Sequence, residues 1–262
     1  MFFNVTEPYT CTKVDKRAFQ AWEQDGVLKI TGLIPLEWFV YLRQRVIEIL
    51  GAEAESPQAW PNLESGLLKP IGRDKQYVPL EIEAVKNAVD NLIGKRWEYP
   101  STGGGWFANA PRQLEKQHSP QMELVPRGHW HWDGRPDLHA SEALWLFTPV
   151  TEMLPDSGGT WLVAGSARMV TNFYKRLPRE KQGKPTKVVK QWFTDDHAWF
   201  KALNSGEPLH QTNQTGDAVR LLNVSGQPGD VVLMKAFTIH SAPEYIGPGP
   251  RLCQVVVAAL TP

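Results

Sequence analysis

The segment Gly128-His129-Trp130-His131-Trp132-Asp133-Gly134 places two imidazoles and a carboxylate within a few positions of one another. On extended backbone alternate side chains share a face. His131 and Asp133 can therefore offer a ring nitrogen and a carboxylate oxygen to one ion. His129 shares that face and competes for the same role; the His-x-Asp spacing selects His131 and leaves His129 as a substrate-facing or otherwise satisfied polar group. Two ligands do not hold a catalytic metal, so a third must come from a distant strand. The apolar run Asp230–Phe237 reads as that strand, with His240 just past its end and a Pro/Gly-rich turn behind it. Two histidines and one carboxylate leave three positions open on the ion, the arrangement that Fe(II) oxygenases use. Four protein ligands would instead close the site into a structural one. A bidentate co-substrate fills two of the open positions and O2 the third. Arg251 follows the turn at the start of the last strand, and a guanidinium there can pair bidentately with a carboxylate. A diacid that chelates iron through a 2-oxo acid while Arg251 grips its far carboxylate is 2-oxoglutarate.

The elements that must position these groups follow from periodicity. A short amphipathic stretch around Phe19 and Trp22 ends at Asp25-Gly26, and GVLKITGL over 26–33 alternates as a strand does. Pro35 opens a helix whose apolar positions are Phe39, Leu42, Val46 and Ile49, with Gly51 as its stop. A second helix spans about Leu80 to Ile93, with stripe Ile82, Val85, Val89 and Leu92 and Gly94 at its end. Residues 19–100 thus read as mainly helical. From Gly103 onward short apolar runs alternate with turn clusters: Trp106–Ala108, Ala143–Val150, Thr160–Ala164, Val219–Val224, Asp230–Phe237 and Leu252–Leu260. That grammar is that of an antiparallel sandwich or barrel over 103–260. Residues 171–214 interrupt it as an insertion or lid, with a basic run from Lys175 to Lys190 that reads as a solvated face or a phosphate contact.

Composition bounds the rest. The chain has 262 residues, with Lys plus Arg 28 and Asp plus Glu 28, so no net charge recommends a nucleic-acid or membrane-surface partner. The expectation is one domain over 1–262. Two distant cysteines, Cys11 and Cys253, and the absence of a leader pattern or an ~18-residue apolar run imply a cytoplasmic protein. The eleven tryptophans concentrate around the candidate site, where Trp106 and Trp132 read as core or as walls of a substrate pocket.

Several of these segments together resemble the phytanoyl-CoA dioxygenase family of Fe(II)/2-oxoglutarate oxygenases, from about Phe19 to Leu260. EQDGVLKITGLIP, HWHWDG, DSGGTWLVAGSAR and QPGDVVLMKAFTIHSAPEYIGPGPR are similar to the family's successive motifs, with Ala164 and Arg168 standing where Pro and His are commoner. The resemblance implies a mainly β fold, a cupin-like double-stranded β-helix or jelly roll with flanking N-terminal α-helices. It implies iron ligands at His131, Asp133 and His240, a 2-oxoglutarate clamp at Arg251, and Trp145 and Thr160 beside 2-oxoglutarate. The activity it implies is oxidation of a C–H bond in a small molecule, with hydroxylation first and desaturation, ring closure or demethylation sharing the same residues. Asp133 argues against halogen transfer, which needs a small residue there. Two readings of other classes stay open: a cupin-like metalloenzyme using His129, His131 and His240 without 2-oxoglutarate, and a non-catalytic jelly-roll binding module.

Overall fold

A computed structural model describes residues 6–50, 71, 73–99, 105–109, 130–133, 143–155, 157–178, 191–192, 197–205, 219–242 and 251–260. Among these lie five α-helices, two short 3-10 helices (Lys75–Tyr77 and Pro79–Glu81) and ten strands; the α-helices and strands are labelled in chain order. The N-terminal part holds β1 (Thr10–Cys11), α1 (Lys16–Asp25), β2 (Val27–Ile30), α2 (Leu36–Leu50) and α3 (Glu83–Ile93). The strands β3 (Trp97–Glu98), β4 (Gly105–Asn109), β5 (Leu144–Pro149) and β6 (Trp161–Ala164) follow. Then come α4 (Ser166–Arg176), α5 (Ala198–Ser205), β7 (Arg220–Asn223), β8 (Val231–Lys235), β9 (His240–Ser241) and β10 (Arg251–Leu260).

Local chemistry sets the helix ends. Asp15 caps α1 by accepting from the Ala18 amide at 2.8 Å, worth about 1 kcal/mol. Gly26, at φ 73, stops it and donates its N–H to the Trp22 carbonyl. Of the stripes read from spacing, Phe39, Leu42 and Val46 on α2 and Val85, Val89 and Leu92 on α3 are buried, while Ile49 and Ile82 are half-buried. Gly94 turns the chain out of α3 at φ 87. Gly51 lies outside the described residues.

The strands form two sheets. Seven join in the order β1-β2-β8-β5-β10-β3, with β4 also paired to β10. Three more join in the order β7-β6-β9. Between the sheets lies a core of Val27, Phe147, Leu162, Leu222, Val232, Met234, Cys253 and Val255. The neighbouring positions Leu28, Leu146, Val231, Leu233 and Val256 instead pack with Trp22, Leu42, Val85 and Val89 of the helices. A strand covered on both faces needs no polar side, which is why VVLMK in β8 is continuously apolar. Two facing sheets with helices against the larger one make the jelly roll expected from the resemblance.

The sequence reading did not anticipate α4. The span read as an insertion starts inside this helix, and Ala167, Met169 and Val170 bury it against Trp161, Val163 and Phe237. Trp199, Phe200 and Leu203 of α5 join the same cluster. Both helices thus pack against strands of the smaller sheet. Residues 179–190, 193–196 and 206–214 lie outside the described residues. No helix among the described residues is long and apolar enough to cross a membrane.

Candidate metal centre

Two elements bring the metal-ligand candidates together. His131 forms an isolated antiparallel bridge with His240, each amide donating to the other's carbonyl, at 2.9 Å and 2.7 Å. Residues directly opposed in such a bridge project to the same side, and the two imidazoles sit 4.3 Å apart, centroid to centroid. Asp133, two positions on, is on that side too. Its Oδ2 lies 3.3 Å from His240 Nε2 and its Oδ1 4.0 Å from His131 Nε2. One ligand atom from each of the three lies within 4.8 Å of the others. This is the only such group of metal-ligating side chains among the described residues.

The second nitrogen of His240 is also accounted for. Nδ1 lies 2.9 Å from the Thr238 carbonyl, an acceptor only, so Nδ1 carries a proton, and in the neutral ring it is Nε2 that is left to face a metal. Thr238 is held in turn, its amide donating to Lys235 and its hydroxyl to the Gly26 carbonyl at 3.3 Å. The end of α1 thus supports the strand that carries the ligand. Burial acts on the Asp133 carboxyl by raising its pKa, but when the histidines are protonated the hydrogen bond from His240 and the positive charges of both rings outweigh this and hold it below the usual aspartate value.

Arg251 opens β10 with its side chain buried. Its Nη1 donates to the Gly158 carbonyl at 2.6 Å, just before β6, the strand that pairs Leu162 with His240. Thr160 stands between Gly158 and β6, buried, in the same alternation as the interior residues Leu162 and Ala164. Trp145 lies on β5 opposite Met234 and Val257, and its indole N–H is buried without a partner. Orphaned buried donors are rare in folded proteins, and an oxygen-rich co-substrate is a group that would satisfy this one.

Trp106, Trp132 and His129 are the remaining expected residues. Trp106 pairs with Gln254 on β10 and packs in the core shared with the helices. Trp132 packs against the Trp130 and Trp161 cluster. His129 lies outside the described residues. Sequence reasoning missed the carbonyls of Thr238 and Gly158, because a backbone acceptor leaves no mark on residue type.

The donor set fits a non-haem Fe(II) centre: two neutral imidazoles and one ionised carboxylate with no fourth protein ligand among the described residues. Fold and donor set together define a jelly-roll protein with a two-histidine, one-carboxylate metal centre. The chain belongs to the phytanoyl-CoA dioxygenase family, whose model matches residues 22–253, a family of Fe(II)/2-oxoglutarate oxygenases. Solved structures share its fold at low identity. The non-haem α-ketoglutarate-dependent carbocyclase SnoK from nogalamycin biosynthesis is 17% identical with a TM-score of 0.52, over 94% of this chain and 84% of that one. EctD from S. alaskensis, solved with 2-oxoglutarate and 5-hydroxyectoine, is 14% identical with a TM-score of 0.51, over 99% and 79%. EvdO2 from Micromonospora carbonacea var. aurantiaca is 15% identical with a TM-score of 0.54, over 95% and 92%. No curated protein sequence matches the chain.

Proposed function

We propose that this protein is an Fe(II)- and 2-oxoglutarate-dependent dioxygenase that oxidises a C–H bond of a small organic molecule, releasing succinate and CO2. The observation that carries the reading is the convergence of His131, Asp133 and His240 on one point in a family member whose Arg251 is buried at the start of β10. His131 and His240 would supply ring nitrogens and Asp133 a carboxylate oxygen to the iron. Bound iron and 2-oxoglutarate supply the oxidising chemistry; the chain's own residues position, neutralise and dry the site. Arg251 balances the far carboxylate of 2-oxoglutarate, with Trp145 and Thr160 as further donors. The apolar interior, with Leu162, Leu222 and Val232, keeps water from the reacting atoms.

Hydroxylation is the outcome we assign, with the substrate a small molecule of specialised metabolism. SnoK, of the same fold, is described as a carbocyclase, so cyclised products belong in the same screen. Cys11 and Cys253 are both free, in keeping with a cytoplasmic setting.

The test is succinate release from Fe(II), O2 and 2-oxoglutarate across a panel of candidate substrates. Anaerobic addition of Fe(II) and 2-oxoglutarate should also give a visible metal-to-ligand charge-transfer band. His131→Ala is expected to abolish both the band and the succinate. Unchanged turnover in that variant would remove the assignment.

A further inference from the structure

In the turn Ser157-Gly158-Gly159-Thr160 the Gly158 carbonyl accepts from the Arg251 guanidinium at 2.6 Å. We propose that this glycine pair is the positioning element of the co-substrate clamp: it fixes the plane of the Arg251 guanidinium before 2-oxoglutarate arrives. The inference rests on the reading of Arg251 as that clamp, and it concerns two residues to which the reading gives no part.

Three observations carry it. First, the turn is pinned on both sides. Its approach, 150–153, bonds to the start of β10: Val150 N to Leu252 O at 2.8 Å, and Leu252 N to Thr151 Oγ1 at 2.8 Å. Met153 exchanges hydrogen bonds with Gly226, and Ser157 Oγ donates to the Leu154 carbonyl at 2.6 Å. On the far side the Val224 amide donates to the Thr160 carbonyl at 2.9 Å. The Gly158 carbonyl is therefore a fixed point. Second, both glycines are required as glycine. Gly158 adopts φ 92, which strains any residue with a Cβ, and a Cβ on Gly159 would overlap the Val224 carbonyl oxygen. Third, Arg251 is almost fully buried, so its guanidinium needs protein acceptors in place of water, and one of them selects its orientation. A planar fork whose Nη1 is already oriented meets a carboxylate with little further loss of rotational freedom. Thr160 leaves the same turn, so the turn sets two of the proposed 2-oxoglutarate contacts at once.

The experiment compares Gly158→Ala and Gly159→Ala with Gly94→Ala. Gly94 also has a positive φ, of 87, but nothing stands within 4 Å of an added Cβ, so it reports backbone strain remote from the site. Calorimetric titration of 2-oxoglutarate into anaerobic Fe(II)-loaded protein should show affinity weakened about ten- to hundredfold in the two turn variants, the factor for losing a hydrogen bond to a charged group. Fe(II) affinity should be unchanged, and Gly94→Ala should bind 2-oxoglutarate as the parent does. A folded Gly158→Ala protein with parental 2-oxoglutarate affinity would overturn the proposal. A second arm needs no turn variant to fold. Arginine-selective nitrogen-15 spectra of the unliganded parent should contain a slowly exchanging Nη–H signal that Arg251→Lys removes, and absence of that signal also overturns it. If the parent itself binds Fe(II) but not 2-oxoglutarate, the proposed function falls, while the spectra still report whether Gly158 holds Arg251.

Discussion

At His240 one ring nitrogen is committed before any metal arrives. The Thr238 carbonyl takes the Nδ1 proton, so the neutral ring is held as the tautomer with a free Nε2, and metal binding need not reorganise it. Asp133 is prepared in a different way. Its position between two histidines holds its carboxyl below the ordinary value in spite of partial burial. The sign follows directly: a depressed pKa keeps the ionised ligand present to lower pH and loses it only as the pH falls through the lowered value. An infrared titration of the metal-free protein, with Asp133→Asn as the difference reference, should place this carboxyl's midpoint below about 3.9, the ordinary aspartate value. A midpoint above that would mean burial outweighs the histidines. The same substitution keeps the shape and removes the charge. Its Fe(II) affinity should fall by at least the ten- to hundredfold that loss of a mere supporting contact costs, read by anaerobic metal titration.

At the scale of elements, α1 supports the metal site although none of its residues is a ligand. Asp25 at its end forms a bidentate pair with Arg220 of β7, at 2.8 Å and 2.6 Å, and Gly26 accepts from Thr238. An added Cβ on Gly26 would come within 3.2 Å of Thr238 Oγ1 and 3.3 Å of the Ala167 Cβ, on a backbone at φ 73. Gly26→Ala should therefore cost about 1–2 kcal/mol from the left-handed backbone alone, a fall in Tm of roughly 2–8 °C. Because the intruding methyl meets Thr238, Fe(II) affinity should fall as well. A variant that loses stability but keeps its metal affinity would uncouple α1 from the site. This support was invisible in the sequence for a physical reason. DG after an amphipathic stretch announces a helix stop, but not what the stop is packed against. Likewise β1, β3 and β9 have two residues each, too short for any periodicity to register. In α4 the first turn, Ser166–Arg168, is also the end of the motif DSGGTWLVAGSAR, and only Ala167, Val170 and Tyr174 mark the helical spacing.

For the whole molecule, the legible part and the illegible part divide along covalent distance. His131 and Asp133 share a face by local spacing alone, and the run before His240 has the composition of a buried strand, so the metal group could be read from the chain. Which sheet carries which group could not, because that depends on pairings between strands far apart in sequence. The same lack of pairing information left Trp106 and Trp132 open between core and pocket wall; Trp106 packs in the core shared with the helices. The division between the sheets has a consequence. His240 lies in the three-stranded sheet, with His131 bridged to it, whereas Arg251 begins β10 of the seven-stranded sheet. A dicarboxylate held at both ends would tie one sheet to the other. Each ligand that binds only the folded state at a hundred times its Kd adds about 2.7 kcal/mol, or roughly 5–10 °C in Tm for a domain of this size. Anaerobic thermal unfolding should therefore show one increment from Fe(II) and a second from 2-oxoglutarate. Arg251→Ala is expected to keep the first and lose most of the second, since its metal group is intact and only the cross-sheet anchor is gone. Equal increments in the parent and in Arg251→Ala would show that 2-oxoglutarate is held from the metal side alone, and that the sheets are joined by their shared core of Phe147, Leu162, Val232 and Cys253 without help from a ligand.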